Sequence, residues 1–111
     1  MIMFQTWGHR SGSAYSGHAS FESMHEALTF GYLTLAEAAD GSVALVGSAW
    51  ARSLATNTIV LHQPDGSHPT EAGSHLASLV IARAIRGETL TSTPSIGIPR
   101  DQAELLAQLV S

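Results

Sequence analysis

The chain has 111 residues, with nine acids against five arginines, no lysine, six histidines and no cysteine. That length holds one domain, residues 1–111, with room for a modest core. The absence of cysteine excludes disulfides, thiolate metal sites and a cysteine nucleophile, and a net charge of −4 argues against a nucleic-acid partner, which calls for a basic face. A hydrophobic content of 44% suits a folded chain. No apolar run approaches the roughly 18–20 residues of a membrane span. No signal peptide is visible at the N-terminus, and the compartment is left open.

Residues 1–7 (Met-Ile-Met-Phe-Gln-Thr-Trp) are mostly apolar without clean alternation, the pattern of a parallel strand buried on both faces. Residues 8–20 form a loop rich in Gly, Ser and His. Ser20 is placed to cap a helix in which Met24, Leu28, Gly31, Leu35 and Ala38 share one face. Asp40-Gly41 ends it, with Gly41 suited to a left-handed position. Residues 42–46 (Ser-Val-Ala-Leu-Val) read as a second buried strand, giving a right-handed parallel crossover.

Residues 47–55 suggest a loop and a short helix, and residues 59–62 a short extended piece. A helix over 70–86 carries Leu76, Leu79, Val80, Ala84 and Ile85, and Gly87 stops it. Residues 89–98 read as a Thr/Ser/Pro linker. Pro99 then suits the first position of a last helix reaching Val110.

Residues 65–76 (Asp-Gly-Ser-His-Pro-Thr-Glu-Ala-Gly-Ser-His-Leu) carry the chemistry. Asp65 and His68 stand three apart in a turn. A carboxylate there can fix one imidazole tautomer and leave the other nitrogen as a general base. Gly66 lets the turn fold back, Pro69 starts the helix without wasting a donor, Thr70 can cap, and Gly73 permits close helix–sheet packing.

The string Asp-Gly-x-His-Pro-[Ser/Thr]-x-x-Gly ahead of an apolar helix resembles the last block of the SGNH (GDSL-type) hydrolases. Phe4-Gln5-Thr6-Trp7-Gly8 and Val46-Gly47-Ser48-Ala49-Trp50 resemble further segments of one branch of that family. The likeness covers most of residues 3–110. It implies a three-layer, flavodoxin-like α/β fold, present as its C-terminal half. It implies hydrolysis of a small-molecule ester, often an acetyl or short acyl group on a carbohydrate or lipid, without a cofactor. His68 would be the base and Asp65 its orienting partner.

The departures from the family are as informative. The chain has no Gly-Asp-Ser nucleophile block and no Gly-x-Asn block, which together would supply the serine and the oxyanion donors. In the family the nucleophile block would lie upstream of Met1. Asp40-Gly41-Ser42 and Asp65-Gly66-Ser67 hold the same letters in the wrong order. Ser67 sits inside the turn, where it cannot readily face His68. Asn57 is the only Asn and lacks the context. Loss of one oxyanion donor costs roughly a hundred- to a thousand-fold, so the chain alone is expected to be inactive. Three readings follow. The chain is the C-terminal part of a serine esterase, or one chain of a split enzyme completed by an N-terminal-half partner, or a non-catalytic remnant serving as an interaction module. An interior strand at residues 1–7 also predicts self-association or a partner.

Trp7 and Trp50 follow strands, where open α/β sheets bind ligands. Each could line an acyl pocket, with core packing the simpler role. His9, His18 and His25 have spacings that match no common metal motif, and no metal is expected. His62 reads as a strand-end residue and His75 as lying on the exposed side of its helix.

Overall fold

The computed structural model describes residues 1–87 and 97–110. The chain is mixed α/β, with a two-stranded parallel sheet and four helices among the described residues: β1 (Ile2–Phe4), α1 (Phe21–Ala38), β2 (Ser42–Ala44), α2 (Val46–Thr56), α3 (Glu71–Arg86) and α4 (Arg100–Gln108). Ile2, Met3 and Phe4 pair with Ser42, Val43 and Ala44. Helix α1 makes the crossover and packs over both strands, while α3 contacts β2 and packs between α2 and α4. Residues 89–96 of the expected linker lie outside the described residues.

Local chemistry accounts for most element ends. Ser20 Oγ accepts from the Ser23 N–H at 3.1 Å and caps α1. Thr70 Oγ1 accepts from the Gly73 N–H at 3.1 Å and caps α3, which ends on Gly87 at φ 79°. Pro99 occupies the capping position of α4 and Arg100 is the first helical residue. At the end of α1 it is Asp40, at φ 53°, that takes the left-handed conformation. Gly41 is needed for space instead, because a Cβ there would stand 2.9 Å from the Met1 carbonyl oxygen.

Helix α2 has no side-chain cap of its own. Gln5, fully buried at the end of β1, provides one from a distance: its Oε1 accepts from the Ser48 N–H at 3.0 Å and its Nε2 donates to Thr29 Oγ1 at 2.9 Å. One satisfied buried amide thus ties β1 to α1 and α2. Gly47 lies against the Thr6 carbonyl, with no room for a Cβ.

The core is formed by Phe21, Val46, Ala49, Trp50, Ile59, Leu61, Leu76, Leu79, Val80 and Leu106, with Val110 closing one end. Three expectations of burial fail. Strand β1 is covered on one face only, not on both as an interior strand would be: Met3 is half-buried, while Ile2 is 46% and Phe4 39% exposed on the other face. Ala36 replaces Leu35 and Ala38 as the buried residue in the last turns of α1, and both of those are exposed. In α3 burial stops at Val80, leaving Ala84 and Ile85 exposed. Periodicity identifies residues that share a face, but a neighbour must still cover that face. The second strand is also shorter than residues 42–46, since Val46 already begins α2.

Candidate functional site

The chain from His62 to Pro69 closes on itself through an antiparallel bridge between those two residues. The Gln63 N–H donates to the His68 carbonyl at 2.8 Å, and the Gly66 N–H to the Gln63 carbonyl at 2.8 Å. Gly66 takes φ 73°, as the sequence requires of a turn this tight. Asp65 and His68 face each other at the tip.

The Asp65 carboxylate collects three donors. Its Oδ1 accepts from the Ser67 N–H at 2.9 Å and the His68 N–H at 3.0 Å, and its Oδ2 lies 2.5 Å from His68 Nδ1. These bonds, that from the Ser67 N–H foremost, hold the Asp65 carboxyl at about 2, below the usual carboxylate range. The tautomer this favours carries its proton on Nδ1, opposite the carboxylate, and leaves Nε2 as an acceptor. No described residue engages Nε2, and the His68 side chain is 73% exposed. An imidazole so held can take a proton from a hydroxyl brought against Nε2 and return it to a leaving group.

The loop after β1 is stitched to this turn. The Trp7 indole N–H donates to the Ser67 carbonyl at 2.9 Å, the Arg10 N–H to the Gly66 carbonyl at 2.8 Å, and Arg10 Nη2 to the Pro64 carbonyl at 2.9 Å. Ser67 Oγ meets His9 Nε2 at 3.1 Å and not the ring of His68. Below them His62 is buried, its Nε2 donating to the Gly8 carbonyl at 2.9 Å. Its ring packs edge-on against Trp50 and Phe21. Burial, more than any other influence, lowers the pKa of His62. His62 is thus a core residue anchoring the loop. His75, expected on the exposed side of α3, is half-buried, and burial lowers its pKa too.

Both tryptophans take the core-packing role, Trp50 inside the core and Trp7 against it. Trp50 is fully enclosed and offers no surface to a ligand in this chain. Trp7 is half-buried, stacks on Trp50 and spends its only polar atom on the turn. Sequence reasoning missed His9 and Arg10 as partners of the turn. Their contacts span 54 to 58 residues, and no local pattern signals them.

Of the remaining histidines, His18 Nδ1 lies 3.0 Å from Ser23 Oγ. His25 stacks on Phe21 with its pKa lowered by burial. Among the described residues no group of three or more His, Asp or Glu side chains could hold a metal ion, and no helix is long and apolar enough to cross a membrane. No family model, curated protein or solved structure matches the chain.

Proposed function

We propose that His68, oriented by Asp65, is the general base of a serine ester hydrolase of the SGNH type, and that the chain forms the C-terminal part of its flavodoxin-like, three-layer domain. The observation that carries this reading is the 2.5 Å contact of Asp65 Oδ2 with His68 Nδ1, made in a turn that leaves Nε2 exposed. In the reaction, Nε2 takes the proton of a serine hydroxyl as its oxygen attacks the ester carbonyl. The imidazolium, stabilised by Asp65, then returns that proton to the leaving alcohol. Water repeats the cycle to release the acid.

The serine and the oxyanion donors come from sequence joined to this chain or from a partner chain. Strand β1 supports completion by further structure: a two-stranded parallel sheet with Ile2 and Phe4 exposed lacks the cover that parallel sheets ordinarily have.

The test begins with the coding DNA upstream. A Gly-Asp-Ser block found there, in frame or as a neighbouring gene, is co-expressed with this chain and assayed on p-nitrophenyl acetate. The expected outcome is turnover that His68→Gln abolishes and Asp65→Asn lowers by a factor on the order of ten thousand, the loss seen when a triad aspartate is removed. Turnover indifferent to His68→Gln refutes the reading. So does the absence of any such block together with an inert chain, which leaves the interaction-module reading.

A further inference from the structure

We infer that Trp7 is a positioning residue for His68, acting through the peptide group that joins Ser67 to His68. A peptide group is planar and moves as one body. Its two polar ends are here held from opposite sides. The Ser67 carbonyl accepts from Trp7 Nε1 at 2.9 Å, and the His68 N–H donates to Asp65 Oδ1 at 3.0 Å. That plane carries the Cα of His68, so its tilt sets where the imidazole points. The Arg10 contacts hold the Gly66 and Pro64 carbonyls, earlier in the turn. Among the described residues Trp7 alone holds the carbonyl of this peptide.

The clamp is rooted in the core. The Trp7 ring stacks on Trp50, whose own indole N–H has no partner and whose side chain is fully buried. Trp50 in turn abuts Gly73 in the first turn of α3, the helix that leaves the Asp65–His68 turn. The two tryptophans therefore divide their roles: Trp50 fills space, and Trp7 carries the rigidity of that packing to the dyad through one hydrogen bond. A base that must meet a hydroxyl at hydrogen-bond distance depends on such support. The catalytic meaning of the clamp rests on the reading of His68 as a base; its geometry does not.

The experiment is NMR of the isotope-labelled chain, without any ester. In the wild type, a scalar coupling across the hydrogen bond is expected between Trp7 Nε1 and the Ser67 carbonyl carbon. Trp7→Phe keeps a stacking ring and deletes the donor. It is expected to speed exchange of the His68 amide about tenfold, the worth of one net hydrogen bond. The His68 Nδ1 proton should shift or broaden, while amides of α3 stay as protected as before. A folded Trp7→Phe in which the His68 amide and Nδ1 proton are unchanged overturns the inference. If that variant does not fold, the wild type decides: a Trp7 indole proton that exchanges like an exposed one and shows no coupling overturns it equally. Ester turnover indifferent to His68 in a completed enzyme would remove the catalytic reading and leave the clamp standing.

Discussion

Trp7 and Trp50 lie face to face, their ring centroids 4.3 Å apart and their planes 4° from parallel. The stack joins the loop after β1 to the helix after the Asp65–His68 turn, because the far edge of Trp50 presses on Gly73. A Cβ on Gly73 would stand 2.6 Å from the Trp50 ring and 2.6 Å from the Leu61 carbonyl oxygen. Neither neighbour is the end of a flexible chain.

Gly73→Ala is therefore expected to destabilise the fold by about 3 kcal/mol, the upper end for overpacking a filled core. Gly87→Ala meets no atom of the described residues within 4 Å, but it forces a side chain into φ 79° and should cost about 1 kcal/mol. Gly31→Ala, in open space at the middle of α1, should stabilise by about 0.5–1 kcal/mol. Urea unfolding followed by tryptophan fluorescence ranks the three, and any other order of sign contradicts the structure.

The Asp65 carboxyl is expected to titrate at about 2 in the folded chain, held there first by the Ser67 N–H and then by the ring and N–H of His68. A depressed carboxylate stabilises the turn above its unfolded value near 3.8. That contribution fades as the pH falls through about 2. Carbon-13 NMR of the carboxyl group reads the midpoint directly. A midpoint in the ordinary range near 4 would show that the three donors are not engaged in solution.

His62, His25 and His75 all have pKa values lowered by burial, from an ordinary 6.5. Burial thus favours the neutral ring of each in the folded chain. Their contribution to stability is complete above pH 6.5 and is lost as the pH falls through the lowered folded values. The urea midpoint should hold steady from pH 8 to 7 and drop progressively on acidification, in steps of pH taken down to about 5. His62→Gln, which removes the most buried of the three, should unfold more easily at pH 7.5 by about 1 kcal/mol and show a shallower acid slope. An unchanged slope would remove His62 from the account.

Exposed Met1, Ile2 and Phe4 put apolar side chains in water along β1. Association of the isolated chain is the expected result, since each large side chain left wet forgoes roughly 1.5–3 kcal/mol. Sedimentation velocity should show mass increasing with concentration, and Ile2→Thr with Phe4→Thr should shift the equilibrium to monomer. A wild-type chain that remains monomeric at high concentration, with no binding of a hydrophobic dye, would contradict it.

What the amino-acid sequence determined by itself was local. Ser20 and Thr70 cap their helices, Gly87 ends one in a left-handed turn, and Asp65 faces His68 across Gly66, because every partner lies within a few residues. Chain geometry over such short spans leaves few alternatives. The alternation of strand, helix and strand was legible for the same reason. Only tertiary structure decided what supports the turn and what lies beneath it. Trp7 reaches Ser67 across 60 residues, His9 reaches it across 58, and His62 reaches Gly8 across 54. Tertiary structure also decided that Gln5 caps a helix it does not belong to, and that Leu35, Ala84 and Ile85 stay in water despite their helical spacing. Periodicity and capping act through the backbone of one segment. Burial and long-range hydrogen bonds depend on which segments meet, and that is settled when the whole chain packs.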